Sequence, residues 1–152
     1  PLSHLVPPQQ RPKNRIFSEF RLVEWGCSLY DYYMRKEYDG IDTSYVEEKI
    51  GWIVSFQTHL LFYKDLVTVC REAKEQVGER GYNCKSGNTF KRRLASLQIS
   101  KQARKFGTQI VKFLKEEGSQ VPIGKSYLGS DEVIESLYGK FKALEGREVL
   151  DL

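Results

Sequence analysis

The sequence predicts a mainly α-helical chain of about five helices, one of them long, with little or no sheet. Three observations predict this. Apolar residues recur at spacings of three and four over most of the chain beyond residue 15. Turn chemistry falls at only a few places, at Asp39-Gly40, between Asn83 and Asn88, and around Pro122, Gly124 and Gly129. No segment alternates apolar and polar residues in the manner of a half-buried strand. The chain has 152 residues, of which 40% are apolar and 12% aromatic, enough for one domain with a core.

Each element has its own signal. Residues 1–15 read as a flexible arm or linker, because Pro1, Pro7, Pro8 and Pro12 disfavour helix and inner strand. A first helix is expected from about Ile16 to Lys36, with Phe17, Phe20, Val23, Leu29, Tyr32 and Tyr33 on its apolar face. Helical spacing assigns these rings to packing before base stacking. Gly26 beside Trp25 predicts a close approach by another helix. Residues 38–43 form a turn. Ser44 with Glu47 reads as a capping box that opens a second helix. That helix extends to Arg80 and stops at Gly81, a suitable residue just past a helix end. Its length leaves room for a break. His59 within it reads as a packed or surface residue, with no partner motif for a catalytic dyad.

A loop at Asn83–Asn88 leads to a short basic helix, from about Thr89 to Leu97. Ser100 is the expected cap of a fourth helix that runs to Glu117 and ends at Gly118. Residues 119–129 form a loop with room for one short strand. A last helix opens at Ser130, with Asp131 and Glu132 suited to the positive end of the helix dipole. Val133, Ile134, Leu137, Phe141 and Leu144 are its apolar stripe. The expected organisation is an arm at 1–15, a helical region at 16–118, a loop and helix at 119–146 and a tail at 147–152.

Composition narrows the function classes. No apolar run is long enough to cross a membrane. The first residues lack the order of a signal peptide. Cys27, Cys70 and Cys84 form no paired spacing, which predicts reduced thiols and a cytoplasmic setting. His4 and His59 are far apart, and no His/Cys metal cluster is visible.

The net charge of +4 conceals an asymmetry. From Arg80 to Lys115 there are ten Lys or Arg and no Asp or Glu, so that segment is +10 and the remainder −6. The basic residues are Arg80, Lys85, Lys91, Arg92, Arg93, Lys101, Arg104, Lys105, Lys112 and Lys115. A field of this size favours a polyanion, with nucleic acid the first candidate. Phosphate contacts of this kind bind with strong salt dependence and weak sequence selectivity. The bland alternative is a basic surface that serves solubility or pairs with the acidic remainder.

One acidic residue falls outside this accounting. Glu135 lies beyond the first turn of the last helix, so the dipole does not explain it. Gly139 and Lys142 follow at four and seven residues, on the same helical face. A carboxylate, a missing side chain and a cation on one face suit a metal-bound phosphate backbone. The bland reading is a solvated face.

The segments RLVEWGCSLYDYY (21–33), IGWIVSFQTHL (50–60) and VIESLYGKFK (133–142), in this order, resemble the C-terminal part of the catalytic domain of DDE transposases from bacterial insertion sequences. The resemblance covers roughly residues 15 to 145. In that family an RNase H-like fold holds two divalent metals with two Asp and one Glu. The final Glu sits on a helix, and in several groups a Lys follows after six intervening residues. Glu135 and Lys142 have that spacing. Where those groups carry an Arg and a Tyr before the Glu, this chain has Asp131 and Leu128.

The resemblance implies a helical insertion at 16–118 followed by the Glu-bearing helix, part of an RNase H-like domain that lacks its Asp-bearing strands. It makes Glu135 a catalytic metal ligand and Lys142 a phosphate contact. It gives Lys85, Lys91, Arg92, Arg93, Lys101, Arg104, Lys105, Lys112 and Lys115 to DNA. It implies Mg2+ in a complete transposase and none for this chain alone, because one carboxylate does not hold a metal pair. The partners it implies are DNA and an N-terminal catalytic portion; self-association stays open. Alone, the chain is expected to be inactive. The alternative is a small helical module that binds nucleic acid or protein without catalysis.

Overall fold

A computed structural model describes residues 5–9 and 15–129 together with Gly139; Glu135, Lys142 and most of the last expected helix lie outside the described residues. The architecture is mainly α, and among the described residues there is no strand. The helices are α1 (Arg15–Arg35), α2 (Thr43–Ile50), α3 (Gln57–Arg80), α4 (Ser86–Ser96) and α5 (Lys101–Ser119). A 3-10 segment, Gly51–Phe56, joins α2 to α3. None of these helices is long and apolar enough to cross a membrane. The chain divides into two compact units, Pro1–Val67 and Thr68–Leu152, with the boundary inside α3.

The core of the first unit is Leu29 of α1, Tyr38 of the turn, Val46 and Ile50 of α2, and Ile53 of the 3-10 segment. Trp25, Tyr30, Tyr32, Tyr33 and Leu60 pack against it. Aromatic spacing on α1 therefore does serve packing, as the periodicity predicts. A Cβ on Gly26 would come within 2.7 Å of the Leu60 side chain, so α1 and α3 approach closely there, as predicted. The turn after α1 closes with the Tyr38 hydroxyl donating to the Tyr33 carbonyl at 2.8 Å. Asp39 and Gly40 both take positive φ, 51° and 83°, a conformation these two residue types tolerate.

The long second helix of the sequence reading is interrupted. Ile50 leaves helical geometry at φ −128°, ψ 0°, and the next six residues wind more tightly. Side chains hold this segment: the Trp52 indole N–H donates to the Lys49 carbonyl at 2.9 Å, and the Ser55 hydroxyl to the Trp52 carbonyl at 2.7 Å. The start of the run also differs. The cap is Asp42, whose Oδ1 accepts from the Ser44 N–H at 2.9 Å. The expected box between Ser44 and Glu47 does not form; Glu47 pairs instead with Lys36 at 3.6 Å.

In the second unit, α3 stops at Arg80 as predicted, and Gly81 takes φ 63° with its N–H donating to the Val77 carbonyl at 2.9 Å. The loop at 119–129 contributes one isolated antiparallel bridge, Tyr127 to Tyr82, with N–H···O distances of 2.8 and 3.0 Å. Phe90 of α4 and Phe106, Ile110 and Leu114 of α5 are fully buried. Each such side chain stabilises the unit by about 1.5–3 kcal/mol through burial.

Candidate nucleic-acid interface

The basic segment folds as a helical hairpin. Ser100 caps α5 as predicted, its Oγ accepting from the Ala103 N–H at 3.3 Å. Then α5 passes Gly118 and ends at Ser119, and Gly118 lies against the Asn83 carbonyl, where a side chain would not fit. That glycine serves packing and does not terminate the helix.

The short basic helix α4 begins three residues earlier than expected. Ser86, Gly87 and Asn88 read as loop residues, yet local bonds fix them as a helix start. The Ser86 hydroxyl accepts from the Asn83 N–H, and the Asn83 side chain accepts from the Lys85 N–H, both at 2.9 Å. The buried Gln76 side chain donates to the Ser86 carbonyl at 2.8 Å.

Two glycines set the hairpin's spacing and direction. Gly87 of α4 lies against Val111 and Lys115 of α5, and Gly107 of α5 lies against Leu94 of α4. The start of α4 therefore meets the end of α5, and the helices are antiparallel. Without a Cβ at either point, the backbones come closer than larger residues would permit.

This packing sorts the ten basic residues of the segment. At about 100° per residue, Lys101, Lys105, Lys112 and Lys115 fall within an arc of about 80° on α5, with Thr108 between them. All five are exposed. The lysine line extends over about 21 Å at 1.5 Å per residue. The antiparallel register places exposed Lys91 level with residues 110–112, on the side of α4 that continues this line. Exposed Arg92 lies further round α4, and exposed Lys85 stands at its N-terminus. Lys112 also makes a wide pair with Glu116 at 3.8 Å, exposed on both sides and therefore weak. The side chain of Arg80 lies outside the description.

Two guanidinium groups point elsewhere. Arg104 donates from Nη1 to the Leu94 carbonyl at 2.8 Å and from Nη2 to the Leu97 carbonyl at 2.7 Å. It closes the C-terminal end of α4, whose last carbonyls have no partner within the helix. Arg93 faces α3 and pairs with Glu72 at 3.4 Å, both partly buried. Sequence alone gives all of these cations equal standing. The structure gives Arg93 and Arg104 work inside the unit and leaves five lysines on one surface.

Glu135 and Lys142, the expected metal ligand and phosphate contact, lie outside the described residues. Gly139 is helical and exposed, with nothing within 4 Å of where a Cβ would stand. Among the described residues no three His, Cys, Asp or Glu side chains come together as a metal site.

The sequence reading missed one surface feature in the first unit. Trp52 and Phe56 of the 3-10 segment are about half exposed, and they meet edge to face with ring centres 5.8 Å apart. Exposed His59 continues the row, 6.3 Å from Phe56. Their spacing of four and three residues, opposite buried Ile50 and Ile53, is the signal that could have found this row.

No protein-family model, no curated protein and no solved structure matches the chain.

Proposed function

We propose that the chain is the C-terminal part of a DDE transposase and that its α4–α5 hairpin contacts DNA. The observation that carries the DNA contact is the alignment of Lys101, Lys105, Lys112 and Lys115 on one exposed face of α5, continued by Lys91 of α4. Repulsion disfavours gathering like charges on one face, and a polyanion relieves it. The catalytic reading rests on the resemblance of residues 21–33, 50–60 and 133–142 to that family. In it, Glu135 supplies one metal ligand and Lys142 a phosphate contact, while the remaining carboxylates and the Mg2+ ions belong to a complete transposase.

Two experiments test this. Fluorescence anisotropy with labelled DNA at low salt tests the contact; absence of binding would remove it. Glu135→Ala, placed in a full-length protein that includes the Asp-bearing strands, tests the catalytic role. Loss of transposition with intact DNA binding supports it, and unchanged transposition removes Glu135 from the mechanism.

A second reading is a helical nucleic-acid-binding module without catalysis. The lysine surface favours it, because that surface is complete within α4 and α5 and requires nothing from Glu135. The Glu135→Ala result separates the two.

A further inference from the structure

The hairpin's chemistry extends to how it would hold nucleic acid, an inference that rests on the DNA contact proposed above. Base identity is read in the major groove chiefly by forked donors, with Arg on guanine the commonest specific contact. Of the three Arg in α4 and α5, Arg104 has both fork nitrogens engaged, Arg93 pairs through one, and exposed Arg92 lies off the lysine line. Arg104 is held by the carbonyls of Leu94 and Leu97, and Arg93 by Glu72. What faces solvent along the line is lysine, a compact point charge on a flexible stem with no fixed fork.

Single-strand recognition depends on exposed aromatic faces for stacking. The hairpin offers none on its surface: Phe90 and Phe106 are fully buried, and Phe113 is partly buried. The other exposed residues on this side include the neutral Asn88, Ala95 and Thr108, with Glu116 at its edge in a weak pair with Lys112. The surface carries positive charge at intervals along two packed helices, without an exposed ring.

We infer that the α4–α5 platform, through Lys91, Lys101, Lys105, Lys112 and Lys115, grips the phosphates of double-helical nucleic acid and is indifferent to base sequence. Sequence discrimination by a larger protein would then come from other residues. The platform adds affinity and its salt dependence.

The test uses the whole chain and three labelled probes of equal length: a GC-rich duplex, an AT-rich duplex and a single strand. Anisotropy titrations run from about 50 to 200 mM salt. The two duplexes are expected to bind within about twofold of each other and more tightly than the single strand, because duplex charge is denser. Lys105→Ala and Lys112→Ala should each lower the slope of log K against log salt by about 0.9, equally for both duplexes. Circular dichroism confirms that the variants are folded. A preference of tenfold or more between the duplexes, or tighter binding of the single strand, overturns the inference and leaves the DNA contact standing. No binding of any probe at the lowest salt overturns both.

Discussion

The Arg104 guanidinium donates to the Leu94 carbonyl at 2.8 Å and so ties the first turns of α5 to the last turn of α4. Its other nitrogen reaches the Leu97 carbonyl at 2.7 Å. One side chain thus closes a helix end and fixes the connection from which α5 starts. The relative placement of Lys91 and the α5 lysines depends on that connection.

Replacing Arg104 by Ala should therefore destabilise the fold more than it alters surface charge. Hydrogen bonds from a charged donor contribute about 1.5–3 kcal/mol each, and the loss here leaves partly buried carbonyls without partners. The expected cost is on the order of 2–4 kcal/mol. Lys at this position keeps the charge but has no fork, so it should recover less than half of the loss. Urea unfolding of the three proteins measures this; equal stability of Arg104→Ala and the parent would remove the clamp.

Gly87→Ala should also destabilise. A Cβ there would stand 3.0 Å from the Lys115 backbone nitrogen and 3.1 Å from the Val111 carbonyl, both backbone atoms with little freedom to move. Alanine's better helix propensity offsets about 1 kcal/mol, against about 1–3 kcal/mol for overpacking. The net effect is a lower urea midpoint, and a raised midpoint would show that the helices separate freely.

The start of α2 gives a paired comparison. Asp42→Ala removes the cap and should cost about 1 kcal/mol, while Ser44→Ala should cost no more than a few tenths. Thermal unfolding of both variants distinguishes them. The reverse order would restore the capping box between Ser44 and Glu47.

The buried Cys70 thiol sets a pH limit. Burial alone pushes its pKa from 9.0 up to about 12. Above pH 9 the unfolded thiol ionises while the native one keeps its proton. The unfolded state then holds fewer protons, so stability falls as pH rises. This contribution is fully present below pH 9 and is lost at up to about 1.4 kcal/mol per pH unit until the native group also ionises. Cys70→Ser should flatten that alkaline fall in urea-unfolding free energy. Mass spectrometry after brief alkylation at neutral pH should find the exposed Cys84 modified and Cys70 intact.

Much of the fold is legible where one local signal decides. Ser100 and Gly81 mark a start and a stop because their side chain or backbone freedom acts within one turn. Gly26 shows as a close approach because nothing else explains a glycine inside an amphipathic helix. Legibility fails where distant residues decide. Asp42 and Ser44 are both good caps, and Asp42 takes the Ser44 N–H that the box with Glu47 would need. Ser86, Gly87 and Asn88 are poor helix formers that become helical because α5 needs a glycine there and Asn83 and Gln76 bond around the start. The charge of the basic segment is plain in the sequence, but its division into contact and structure is not. Arg104 and Lys105 are neighbours in sequence with the same charge, and only the hairpin turns one to a carbonyl pair and the other to solvent.

The most direct measurement is a salt titration of duplex binding by the parent chain and by a variant with Lys101, Lys105, Lys112 and Lys115 all changed to Ala. The parent should bind at about 50 mM salt and lose affinity steeply toward 200 mM, while the variant, folded by circular dichroism, should bind at least tenfold more weakly with a flatter slope. Equal binding and equal slopes would place the contact elsewhere and contradict the assignment of the α4–α5 surface to nucleic acid.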